Sequence, residues 1–114
     1  MAQQSFNGKG DVKTIAKMII DEVQAAGVTN SLVGSASREN GDTTVVFLVF
    51  EKYYMRASNR ASLSLMMIQG RDGTVTIDAV SSGGGQGVFF SFSWGAEEHF
   101  MSLLQRILTQ RGFY

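Results

Sequence analysis

The sequence lacks cysteine and net charge, and each absence removes a class of function. Without cysteine the chain forms no disulfide and offers no thiolate nucleophile or thiolate metal ligand. Ten Lys and Arg residues balance ten Asp and Glu residues, so no net field attracts nucleic acid or an anionic membrane. The single histidine, His99, has no second histidine for a metal pair or a proton relay. We therefore expect no cofactor, no metal and no nucleic-acid partner.

Long hydrophobic runs are also missing. No apolar stretch approaches the roughly 20 residues that a membrane helix needs. Residues 1–5 carry neither the basic region nor the apolar region of an export signal. We expect a cytoplasmic protein with no membrane partner. A chain of 114 residues makes one domain with one core, so we predict a single α+β domain over residues 1–114.

What the sequence does contain is a long segment of β-branched and aromatic residues, Thr43–Met55. The segment has no Gly or Pro and is too long for an edge strand, which predicts a central strand. If it is extended, both of its faces are apolar through the middle. One face must then meet the core and the other a second covering layer or a partner.

Apolar residues at helical spacing predict two helices. The first runs over Val12–Ala26, with Asp11 as its N-cap and Gly27 at the C′ position. The second runs over Trp94–Arg111 and is ended by Gly112.

Period-two alternation and turn residues predict the strands around the central segment. Glu39–Asp42 and Gly70–Gly73 are typical hairpin turns. The remaining predicted strands are a short lead-in at Ser5–Gly8, then Leu32–Ser37, Arg60–Gln69, Thr74–Ser81 and Val88–Ser93.

The order of these elements predicts the architecture. A helix, a meander of four to five antiparallel strands and a second helix most simply give a two-layer α+β sandwich with both helices on one face. We expect the open face to hold apolar residues of several strands, namely Val46, Leu48, Phe50, Met66, Ile68 and Phe89. That is more apolar surface than a monomer leaves in water, so we predict a homodimer through the sheet, or a ligand there.

The glycine-rich stretch at residues 81–87 is the first candidate site. Its glycines permit positive φ and close approach of backbone N–H groups to an anion. The helix that begins near Trp94 would add its N-terminal dipole. The spacing matches neither the P-loop nor the dinucleotide fingerprint, which favours a simple connection over an anion cradle. The residues concerned are Gly83, Gly84, Gly85, Gln86 and Gly87.

Basic and aromatic residues gather at one end of the predicted hairpin after the central strand. They are Lys52, Tyr54, Arg56 and Arg60, with Tyr53 beside them. Such a group can bind a phosphate or carboxylate, or stack a single-stranded base. Zero net charge argues against nucleic acid, and a solvated strand end is the plainer interpretation.

Acidic residues on the two helices have structural explanations. Glu22 lies on the rim of the first helix, where its carboxylate can reach water or an arginine. Glu97 and Glu98 lie in the first turn of the second helix, where acids are favoured by the helix dipole and by capping. We interpret His99 as a surface histidine and favour capping over acid–base chemistry for this group.

Three segments taken together resemble a known family. They are Phe50–Tyr54 with Ser58–Leu63, then Ser81–Gly87, then Phe92–Glu98. The set is similar to a family of small bacterial proteins, mainly from Firmicutes, that is an uncharacterised domain-of-unknown-function family. The resemblance runs over most of the chain and implies a cytoplasmic single-domain protein, with no functional residues to carry over.

Two functions follow as hypotheses. The first is a small non-enzymatic binding or interaction module that is homodimeric through the sheet. The alternative is a small-molecule or anion-binding protein, or an enzyme, whose pocket lies between the glycine-rich stretch, the start of the second helix and the basic hairpin end. Its candidate ligand-binding residues are Gly83, Gly84, Gly85, Gln86, Gly87, Trp94, Glu97, Lys52, Tyr54, Arg56 and Arg60.

Overall fold

The computed structural model describes residues 2–54, 59–83 and 96–114 of the chain. Within these ranges, five strands form one antiparallel sheet in the order β1-β5-β4-β3-β2, with two helices packed on it. The predicted α+β fold class is confirmed. The elements are β1 Ala2–Lys9, α1 Val12–Ala25, β2 Ser31–Asn40, β3 Thr43–Tyr54, β4 Asn59–Gln69, β5 Thr74–Gly83 and α2 Ala96–Thr109.

Tight turns at glycines build the meander from β2 to β5. Gly41 (φ 60°) joins β2 to β3 and Gly73 (φ 80°) joins β4 to β5, and both take the left-handed conformation that glycine adopts without strain. The Oδ1 atom of Asp72 accepts the Thr74 N–H at 3.0 Å and holds the second turn. The predicted lead-in at Ser5–Gly8 is a full edge strand, because β1 pairs with β5 along its whole length.

The start of α1 and the end of α2 are set by the residues that predict them, Asp11 and Gly112. Asp11 caps α1 by accepting the Thr14 N–H at 3.0 Å. Gly112 (φ 87°) ends α2. Its N–H donates to Thr109 O at 3.2 Å, and the Phe113 N–H donates to Leu108 O at 3.0 Å, which is the Schellman arrangement.

One predicted face assignment is wrong. The register places Val46, Leu48 and Phe50 opposite Met67, Leu65 and Leu63, and all six are buried beneath the helices. These three β3 residues therefore do not lie on the open face with Met66 and Ile68. The central strand is apolar on both faces, so alternation alone could not say which face turns inward. Phe89 lies outside the described residues.

The open face of the sheet carries the other set of β3 residues. Phe47 lies opposite Met66, and Val45 lies opposite Ile68. Phe47 and Met66 are each 42% exposed. The described helices both pack on the opposite face, against the buried residues of β3, β4 and β5.

No helix among the described residues is long and apolar enough to cross a membrane. The predicted strand at Val88–Ser93 lies outside the described residues.

Candidate functional site

The basic and aromatic residues at the end of β3 are divided between the two faces of the sheet. Lys52 pairs with the buried Ala61 and, like Tyr54, lies on the helix side. Tyr53 pairs with Arg60, and the two side chains meet on the open side, with the guanidinium carbon 5.7 Å from the ring centroid. Because neighbouring strand residues point to opposite faces, the structure does not bring the predicted group together in one pocket.

The open side holds a cleft of about 180 Å³ at this end of the sheet. Arg60, Glu51 and Gly83 line it together with Ser62 and Ser82. The guanidinium of Arg60 lies 3.3 Å from Glu51 Oε1, and both groups are partly exposed. The structure therefore places two predicted site residues, Arg60 and Gly83, at one cleft where the arginine already has a carboxylate partner.

The helix side holds a second cleft, of about 160 Å³, between the end of α1, the end of β3 and α2. Lys52 and Tyr54 come from β3, with the Lys52 ammonium 5.4 Å from the Tyr54 ring centroid. His99 and Arg106 come from α2. The floor and remaining wall are apolar, formed by Ala26, Phe100 and Leu103.

Arg106 is not among the site residues predicted from the sequence, and His99 is predicted only as a surface histidine. His99 is exposed, as predicted, but it also lines the cleft. The two residues are seven apart with Leu103 between them, so they share one face of α2. That spacing was the available signal, although nothing local shows that this face meets the end of β3.

Gly27 lets Lys52 reach the end of α1. A Cβ atom on Gly27 would lie 3.1 Å from Lys52 Nζ and 3.0 Å from Asn30 Oδ1. Gly27 follows the C-cap residue Ala26, as predicted, but its φ angle is not positive. Glycine matters at this position because it lets Lys52 and Asn30 come close to the backbone. The last turn of α1 has no basic residue, so Lys52 supplies positive charge at that negative helix end.

Asn30 beside it is 6% exposed and donates from Nδ2 to Val23 O at 2.8 Å. Its Oδ1 atom accepts no hydrogen bond from any described residue. A buried acceptor without a donor is uncommon and carries a free-energy cost. The neighbouring Lys52 ammonium offsets part of that cost electrostatically.

A third cleft, of about 530 Å³, lies between α1 and the edge strand β2. A bulge between Leu32 and Gly34 shifts the register, so that small residues such as Ser35 and Ser37 face the helix. The two lysines at this cleft are both ion-paired, Lys13 with Glu39 at 3.2 Å and Lys17 with Asp21 at 3.0 Å. The cleft therefore offers no uncompensated charge to a ligand.

Two carboxylates of the described side chains have lowered pKa values, and both are structural. The Thr14 hydroxyl and then its N–H lower the pKa of Asp11. The backbone N–H and then the hydroxyl of Thr74 lower the pKa of Asp72. Each carboxylate holds a helix cap or a turn, so neither marks a catalytic acid.

The other predicted site residues divide between described and undescribed parts of the chain. Glu97 lies in the first turn of α2, as predicted. Arg56, Gly84, Gly85, Gln86, Gly87 and Trp94 lie outside the described residues. Within residues 2–54, 59–83 and 96–114 no three His, Asp or Glu side chains gather as a metal site would require.

The model of a protein family matches residues 1–112, and that family is described as one of unknown function. Neither the curated proteins nor the solved structures give a match. The resemblance to a domain-of-unknown-function family is thus confirmed, while the bacterial source that it implied stays a prediction.

Proposed function

Since the chain belongs to this family of unknown function, DUF6054, we propose from its geometry that it is a non-enzymatic interaction module that pairs with a second copy of itself through the open face of the sheet. The observation that carries the proposal is the apolar centre of that face. Phe47 and Met66 lie opposite each other there and are each 42% exposed, and Tyr53, 38% exposed, lies on the same face toward the end of β3.

The area of the face suits a dimer. Five strands of 8 to 12 residues make a sheet about 24 Å wide and about 33 Å long, or about 800 Å² in plan. A stable interface of ordinary size buries about 800 Å² on each partner. The open face is therefore large enough to form such an interface without help from the helices.

The charges on this face favour a second copy over an acidic or a basic partner. The described strands carry three cations and two carboxylates on this face, so the two signs are nearly balanced there; they are Lys9, Arg38, Arg60, Glu51 and Asp78. In a two-fold dimer the same patch meets itself, which requires this kind of balance.

We place the protein in the cytoplasm as part of the same proposal. Its lack of cysteine supports this, because secreted domains of comparable size often depend on disulfides.

Charge placed at the centre of the face tests the proposal. Phe47→Lys and Ile68→Lys should each turn a dimer into a folded monomer, because a lysine there would be buried at the interface with no carboxylate opposite it in its own sheet. The matched control is Gln24→Lys, which adds the same charge at an exposed position of α1. Multi-angle light scattering at about 50 µM, well above a micromolar dissociation constant, reports the mass.

Two results would overturn the proposal. One is a monomeric parent protein at that concentration. The other is a dimer that both open-face variants keep while circular dichroism shows them folded, since the interface would then lie elsewhere.

A further inference from the structure

We infer that the helix-side cleft is a binding site for a phosphate group, held by Lys52, Arg106 and His99. The cleft lies on the covered side of the sheet and is separate from the proposed dimer face. Its occupant would be inorganic phosphate or the phosphate of a small monoester.

The pairing of charges singles out this cleft. Five cationic side chains of the described residues have a carboxylate within ion-pair distance, namely Lys13, Lys17, Arg60, Arg71 and Arg111. Lys52 and Arg106 have no such partner among the described residues, yet they line the same small cleft. Two cations that line one cleft without a carboxylate from the described side chains repel each other, and an anion between them removes that repulsion.

The donor set fits a phosphate group in particular. Lys52 offers an ammonium, Arg106 a planar fork of N–H donors and His99 a ring N–H. They reach the cleft from two elements, β3 and α2, and so approach a bound anion from different sides. A phosphate presents three or more acceptor oxygens to such a set, whereas a carboxylate presents two.

The size of the cleft limits the ligand. Pockets for drug-sized ligands and cofactors measure about 300–1,000 Å³, and this cleft is about 160 Å³. It accommodates a phosphate with a short substituent, not a dinucleotide. Phe100, which is buried, and Leu103 form an apolar floor that strengthens charged hydrogen bonds above it.

Each cation also has a structural role that must be separated from binding. Lys52 neutralises the end of α1, and Arg106 lies in the last turn of α2, where a positive charge favours the helix. Those roles affect folding stability but predict no response to phosphate. The test must therefore measure phosphate affinity directly.

The experiment is isothermal titration of the full chain with inorganic phosphate at constant ionic strength, repeated with glycerol phosphate and with acetate. The cleft variant carries Lys52→Gln and Arg106→Gln. The matched control carries Lys17→Gln and Arg71→Gln, which removes the same charge from exposed positions that lie away from the cleft and outside the open face. Melting curves in chloride show that each variant is folded.

We expect the parent protein to bind phosphate. Its affinity for acetate should be about tenfold lower, or too low to measure. The cleft variant should lose about tenfold or more in phosphate affinity, because hydrogen bonds to two charged groups are removed. The control should stay within about twofold of the parent, and His99→Gln should fall between the two. Tighter binding of glycerol phosphate than of inorganic phosphate would identify a monoester as the ligand, and the reverse would identify the free ion.

The inference is overturned if the parent binds no phosphate at about 10 mM, which corresponds to a negligible affinity. It is equally overturned if the cleft variant and the control weaken by the same factor, because the effect would then be one of net charge.

Discussion

Replacing Gly8 by alanine tests how the segment Phe113–Tyr114 closes the outer edge of β1. An alanine Cβ at Gly8 would lie 2.6 Å from Cδ2 and 2.7 Å from Cε2 of the Phe113 ring. Real side chains do not approach so closely, so the ring must move. Phe113 is buried, and its backbone N–H donates to Leu108 O. The next residue, Tyr114, pairs with Asn7 through two backbone hydrogen bonds of 2.7 and 3.0 Å, so the backbone on both sides of the ring is held.

The expected cost follows from that confinement. Forcing extra carbon into a packed site costs about 1–3 kcal/mol, and we expect Gly8→Ala to lower the free energy of unfolding by that amount. Gly34→Ala is the matched control, since Gly34 also lies in an edge strand and its nearest neighbour would be Val49 Cβ at 3.9 Å. Neither glycine has a positive φ, so Gly34→Ala should be neutral or stabilise by up to about 1 kcal/mol.

Urea unfolding of the two variants measures the difference, and a double-mutant cycle locates its cause. With Phe113→Leu in the background, the cost of Gly8→Ala should shrink by about 1 kcal/mol or more, because the clashing ring is gone. If Gly8→Ala and Gly34→Ala differ by less than about 0.5 kcal/mol, or the two changes at Gly8 and Phe113 are additive, then the close contact does not govern stability at this edge.

Two further predictions concern the helix cap and the two faces of the sheet. Asp11→Ala should lower stability at neutral pH. The Thr14 hydroxyl and N–H lower the folded-state pKa of Asp11, so its contribution is present above the unfolded pKa and disappears as the pH falls through the folded value. The difference from the parent in urea melts should therefore shrink as the pH is taken below the ordinary Asp value of 3.8, while Asp21→Ala serves as an exposed control. Leu65→Ala should lower the free energy of unfolding by about 2–5 kcal/mol because Leu65 is buried, whereas Met66→Ala on the open face should lower that of the monomer by less than about 1 kcal/mol. Comparable losses in dilute solution would mean that the two faces are equally buried.

The sequence predicted the order of elements because the signals for it are local. Glycines such as Gly41 and Gly73 mark the turns, and Asp11 and Gly112 mark the helix ends. What local signals could not provide is the inward face of β3, since Val46 and Phe47 are equally suitable for a core. That choice is made by the register with β4 and by the helices, which are long-range features.

The extent of β1 was missed for a related reason. Its last residues are Asn7, Gly8 and Lys9, which are types depleted in strands, and the strand exists because β5 offers a partner along its length. The candidate sites depend on tertiary structure even more strongly. Lys52 and Arg106 are 54 positions apart, and only the packing of α2 beside the end of α1 brings them to one cleft.

The absence of cysteine allows the proposed dimer to be tested by a distance between copies. A single spin label at Ser64→Cys lies on the open face, and a single label at Gln24→Cys lies on the helix side. Facing sheets pack about 10 Å apart. Double electron–electron resonance should therefore give a short, narrow distance distribution between copies for the Ser64 label and a longer one for the Gln24 label. A dimer with the shorter distance at Gln24, or no dipolar coupling for either label at about 100 µM, would contradict association through the open face.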